Sequence, residues 1–196
     1  MKKNNSIKEK LLPVIFVTII LFNASCSNNQ KMQDTKEVAE EHNEAKFDNN
    51  KNENDAQFLV NAAEISREEI SLGQLAQQNG RTSHVKELGK MMETEHKKSL
   101  TDLTALALTK NISLPTSQTE NGQDAYKKLS DKSGNDFGKA YSNMMVKGHK
   151  DAIALFEKAS TDCTDPEIRA WATATLPTLR THLDHSMICQ KECDKM

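Results

Sequence analysis

Residues 83–110 read SHVKELGKMMETEHKKSLTDLTALALTK, and the spacing of the apolar residues in this stretch decides the fold class. Val85, Gly89, Met92, Leu103 and Leu106 fall on a 4-3 repeat that also carries His96 and Ser99. That is the period of an α-helix turning one face to a core. Three further stretches share it. Residues 55–79 carry Phe58, Ala62, Ile65, Glu69, Leu72 and Ala76; residues 135–160 carry Tyr141, Met145, His149, Ala152, Phe156 and Ala159; the last stretch, to residue 189, carries Ile168, Ala172, Thr175, Leu179, His182, Ser186 and Cys189. Asp55 is read as a cap of the first helix and Gly80 as its stop. Asp165-Pro166-Glu167 offers the last helix a cap, a first-turn proline and an acidic first turn.

Strand signals are few, so the domain at 55–196 is expected to be all-α, a four-helix bundle. Between helices two and three lies a connection of about 24 residues with Pro115, Gly122 and Gly134 and a short helix expected at 124–130. A link of that length can run from one end of a bundle to the other.

The N-terminal residues speak to compartment. Lys2, Lys3, Lys8 and Lys10 precede an apolar run at 11–22, the pattern of a secretion signal. Twelve residues of helix span about 18 Å, short of a bilayer core of about 30 Å. Phe22-Asn23-Ala24-Ser25-Cys26 resembles a lipobox, with Asn23 where an aliphatic residue is usual, and implies a signal peptide at 1–25 and lipid on Cys26. A diacylated cysteine suffices for stable anchoring. Residues 26–54 are dominated by Asn, Lys, Glu, Gln and Asp and read as a flexible tether, with a weak helix at 35–45 as the alternative. The expected localisation is the cell envelope, at the outer membrane or its periplasmic face.

Each seam contains one titratable residue: Glu69, His96, His149 or His182. All four lie roughly 16 to 24 Å from the nearest inter-helix turn at 1.5 Å per residue, so they can share one layer. Two readings follow. The layer is a hydrogen-bonded network fixing helix register, or it is a metal site for zinc, copper or iron built from imidazoles and one carboxylate. Glu64, Glu68, Glu93 and His185 are alternative or supporting contributors.

Met91-Met92-Glu93-Thr94-Glu95-His96, then His149, then Leu176-Pro177-Thr178-Leu179-Arg180-Thr181-His182-Leu183 occur here in that order. In this the domain resembles a ferritin-like family of exported bacterial proteins classed as a domain of unknown function and often labelled predicted outer-membrane proteins. The resemblance implies a ferritin-like four-helix bundle and an envelope location, and no established activity. A ferritin-type di-iron oxidase is disfavoured, because Glu93-x-x-His96 supplies one Glu-x-x-His copy while Val146 and Leu179 stand three residues before His149 and His182.

Other chemistry has little support. The chain has 26 basic and 28 acidic side chains; without the signal, 22 and 27 remain, a net −5 that does not suggest nucleic acid. No serine or cysteine stands in a nucleophile elbow or triad spacing, so no catalytic residue is assigned. Cys163, Cys189 and Cys193 are an odd number once Cys26 is lipidated, and about 35 Å of helix separates the first two, beyond disulfide reach. The expected role is therefore a non-catalytic structural or interaction module that meets the membrane through lipid on Cys26 and whose protein partner the sequence does not identify; the alternative is a metal-binding protein.

Overall fold

The computed structural model describes residues 33–47 and 50–196. The signal at 1–25 and Cys26 lie outside the described residues. Six helices follow in order: α1 (Thr35–Glu44), α2 (Asn50–Asn79), α3 (Ser83–Thr109), α4 (Glu120–Ser130), α5 (Gly134–Asp162) and α6 (Pro166–Asp194). There is no strand among the described residues, so the chain is all-α. No helix among them is long and apolar enough to cross a membrane.

The helix ends follow local chemistry. Thr82 accepts the Val85 N–H at the start of α3, and Thr119 accepts the Gly122 N–H at the start of α4. Asp165 accepts the Glu167 and Ile168 N–H groups, with Pro166 filling the first helical position of α6. These caps satisfy amide donors that a helix start leaves orphaned.

Four long helices carry the core, with contacts between α2 and α3, α5 and α6, α2 and α5, and α3 and α6. The core has two parts. One apolar cluster holds Phe58, Leu59, Leu103, Phe156, Ile168 and Leu179; the other holds Leu72, Val85, Met92, Phe137, Met145 and Cys189. Along α2 and α6 the chain runs from the first cluster to the second, and along α3 and α5 it runs back, so these four pairs are antiparallel, while α3 and α5, which also touch, are parallel. The connection after α3 must therefore return from one end to the other. It does, with Ile112 in the first cluster and Leu129 of α4 in the second.

The N-terminal boundary differs from expectation. α2 begins at Asn50, and Asp55 is a buried residue inside it rather than a cap. Its carboxylate instead accepts the Thr164 N–H and hydroxyl and the Asp165 N–H, pinning the α5–α6 turn. The segment read as tether contains α1, which packs on α2 with Ala39 and Asn43 buried. Asn43 donates to the Ser113 carbonyl at 2.9 Å and accepts the Ser113 N–H at 2.7 Å. The Asp34 carboxylate accepts from both Lys36 N and Glu120 N. Polar side chains bonded to backbone thus hold this segment in place, where composition alone predicted a coil.

The tightest contact joins α2 to α3. A Cβ on Gly89 would stand 2.6 Å from the Gly73 carbonyl oxygen, and one on Gly73 would stand 2.6 Å from the Gly89 oxygen. In an exposed helix, Gly to Ala gains about 1 kcal/mol. Here Gly89→Ala must push two backbones apart and is expected to lose about 1 to 3 kcal/mol. Urea unfolding measures this, with Gly148→Ala as the tolerated control, since its methyl would meet only Glu69 Oε1 at 3.4 Å.

Candidate metal centre

The break between the two apolar clusters falls at the same height on all four long helices. On α3, His96 stands between Met92 and Leu103; on α5, His149 stands between Met145 and Ala152; on α6, His182 stands between Leu179 and Cys189; on α2, Glu69 stands between Ala63 and Leu72. The side chains are dry, with exposures of 4% for His96, 1% for His149, 2% for His182 and 5% for Glu69.

The three imidazoles form a triangle with ring centroids 5.2, 5.3 and 5.7 Å apart. One nitrogen from each lies within 4.8 Å of the other two. The hydrogen bonds set the protons. The Met145 carbonyl, 2.9 Å from His149 Nδ1, can only accept, so Nδ1 carries the hydrogen and His149 Nε2 a lone pair. His182 Nδ1, 3.2 Å from that Nε2, is then the donor, which leaves a lone pair on His182 Nε2. The Nε2 atoms of His182 and His96 have no hydrogen-bond partner in the protein, nor do Glu69 Oε2 and the Tyr141 hydroxyl.

Burial keeps these groups neutral. Desolvation, with His182 and His149 nearby, holds His96 well below the ordinary imidazole value. Desolvation with His149 and His185 brings His182 down to about 3. His149 is lowered by burial against the opposing pull of its bond to Met145. Glu69 is pushed well up by burial and by Glu68. Its Oε1 lies 3.9 Å from His149 Nδ1, beyond hydrogen-bond length, and burial favours the neutral form of both, so the two do not form an ion pair.

Such a triangle has the donors for one transition-metal ion. Bonds of 2.0–2.1 Å in a tetrahedron require neighbouring nitrogens about 3.3 Å apart. His149 Nε2 and His182 Nδ1, 3.2 Å apart, already meet that spacing, and an ion there would replace the hydrogen between them, with the His182 proton carried on Nε2 instead; His96 offers a nitrogen within 4.8 Å of both. The Met145 carbonyl fixes the His149 ring as backbone carbonyls do for metal-ligating histidines.

The other residues singled out from sequence stand elsewhere. Glu69 is outside the nitrogen triangle and lies on the Nδ1 side of His149. Glu93 accepts hydrogen bonds from Lys97, Gln74 and Gln77, which hold its carboxyl down at about 2, and it does not join the histidines. Glu64 pairs with Lys36 at 2.6 Å and accepts from Thr119. His185 is exposed. Glu68 is raised by burial and by Glu64 and lines the surface above Glu69. Tyr141 was read only as a seam residue, yet its buried phenol is raised by desolvation and then by Glu69. Its place one helical turn before Met145, with His149 a turn further on, was the available signal. Cys163 belongs to one apolar cluster and Cys189 with Cys193 to the other; all three are free thiols. Burial pushes Cys163 and Cys189 up to about 12.

These directions determine the pH response of the metal-free protein. Each histidine has a lowered value in the fold, so its contribution is complete above about 6.5 and is lost as pH falls, over about 6.5 to 3 for His182. The slope is at most about 1.4 kcal/mol per pH unit per group. Glu69 has a raised value and acts oppositely, its contribution being complete below about 4.5 and lost as pH rises. Three imidazoles outweigh one carboxyl. Urea midpoints of metal-free protein should therefore fall from pH 7 to pH 4, less steeply in His149→Gln; a flat profile would contradict a neutral, dry triad.

Neither a curated protein nor a solved structure matches the chain. One family's sequence model matches residues 32–187, which spans α1 through most of α6 and all three histidines. The chain belongs to the family described as a domain of unknown function, DUF4142.

Proposed function

We propose that this chain is a metal-binding protein of the bacterial cell envelope, a ferritin-like four-helix bundle anchored through lipid on Cys26. His96, His149 and His182 hold one zinc, copper or iron ion. The observation that carries this is a dry layer in which one nitrogen from each of three imidazoles lies within 4.8 Å of the other two, while His96 Nε2 has no partner in the protein. A register-fixing polar layer needs its members bonded to one another, because a buried unpaired polar atom loses about 1 to 3 kcal/mol. Here only two bonds serve three histidines. Bundles commonly bind metals through side chains on facing helices, and the antiparallel order with a returning link between α3 and α5 supports the ferritin-like reading.

The envelope location rests on the basic, apolar and small-residue run that ends in Cys26. The role is binding rather than catalysis on an organic substrate, since the three rings are at most 4% exposed.

The test is elemental analysis of the mature chain, secreted to a periplasm and purified without chelator or tag histidines, beside His96→Ala and His182→Ala. About one ion per chain, lost in both variants, is expected, together with a melting temperature that a chelator lowers by several degrees. Metal-free protein that takes up no zinc, copper(I) or iron(II) on titration would sink the reading and return the layer to a structural role.

A further inference from the structure

A buried metal site needs a way in, and one groove reaches this layer. Between α2 and α5 lies an open groove of about 450 Å³ whose lining includes Glu64, Glu68, Glu69, Lys147, Gly148 and Asp151. We propose that this groove is the port through which a divalent cation reaches the three histidines, with Glu69 at its floor as the receiving ligand. The inference rests on the metal-binding reading above.

Three observations carry it. Glu69 lines the groove, yet it is only 5% exposed and its Oε2 has no partner in the protein. An unpaired carboxyl oxygen in that setting is a strong receiver for a cation shedding water. Its other oxygen lies 3.9 Å from the His149 ring, whose far nitrogen is the one facing His182. The receiving carboxyl and the nitrogen triangle are thus separated by a single imidazole. Finally, α5 has no side chain where it crosses Glu69. A Cβ on Gly148 would come within 3.4 Å of Oε1, so a longer side chain there would close the passage.

The charge around the groove favours cations. Its titratable lining is Glu64, Glu68, Glu69, Asp151 and Lys147. Lys147 is paired with Asp151 at 2.7 Å and Glu64 with Lys36. Glu68 and Glu69 remain as the lining carboxyls without a lysine or arginine partner, and Glu68 stands next to the floor. With Lys147 offset by Asp151 the lining is net acidic, and a net acidic cleft speeds association of cations by about tenfold or more.

The experiment is stopped-flow uptake of Zn²⁺ from a colorimetric zinc indicator by the full mature chain, wild type beside Glu69→Gln, Glu68→Gln and Gly148→Leu, with equilibrium affinity measured on the same samples. The port predicts that Glu69→Gln and Gly148→Leu slow uptake by about tenfold while affinity changes by less than about threefold, which also shows that the site is intact. Glu68→Gln should weaken the dependence of the wild-type rate on ionic strength. Wild-type rates in both Glu69→Gln and Gly148→Leu would overturn the port and leave the metal site standing. A large loss of affinity in Glu69→Gln would make Glu69 a resident ligand and likewise overturn it. Zinc uptake absent from the wild type itself would overturn both readings.

Discussion

Three imidazoles held dry between two apolar clusters are the constraint on which the rest of this structure depends. An imidazole in water is indifferent to its neighbours, but with every side covered each ring nitrogen needs a partner. The layer exists only if four helices bring residues 69, 96, 149 and 182 to one height. The short turns after α2 and α5 set the heights within each antiparallel pair. The Gly73 and Gly89 contact then locks α2 against α3, since two backbones within 2.6 Å of a virtual Cβ cannot slide without a clash.

The apolar clusters supply the stability that such a layer consumes. One holds an aromatic group in which Phe58, Phe156 and Trp171 lie 5.0, 5.8 and 5.4 Å apart by ring centroid. The other stacks Phe137 on Tyr141 and buries Cys189 and Cys193, whose thiols, free among the described residues, behave as small apolar groups. The returning link ties the two halves together, with Ile112 in one and Leu129 in the other. α1 adds a strap whose grip is polar: Asp34, Lys36 and Asn43 each bond to a different part of the domain.

Periodicity made most of this legible before any coordinates. The seam residues of all four long helices were readable because a 4-3 repeat of apolar side chains has one geometric solution, and Asp165 announces its helix by capping chemistry. The start of α2 was not legible, and α1 was legible only as a weak helix at 35–45 within a tether, because α1 is held by long-range bonds such as Asn43 to Ser113 and Asp34 to Glu120, seventy or more residues away, while the local composition is that of a coil. The site was legible as a set and not as a geometry. Spacing places Glu69 on the same layer as the histidines, but only the packing of α2 against α5 puts its carboxyl on the Nδ1 side of His149 rather than inside the nitrogen triangle. Glu93 misled for a related reason. It shares a turn with His96, yet it points to the helix face where Gln74, Gln77 and Lys97 satisfy it.

The composition of the centre also narrows what it would hold. A ferritin-type di-iron site places four carboxylates and two histidines on its helices, enough negative charge for two cations. Here the layer has three neutral nitrogens and one carboxyl whose buried state favours protonation. That donor set cannot balance two irons, and it offers too few oxygens for magnesium or calcium, which bind through six or more oxygen ligands. Nitrogen ligands suit zinc, copper and ferrous iron. Among these the three-nitrogen count fits an ion that accepts three protein ligands and completes its coordination with a small molecule, as zinc does.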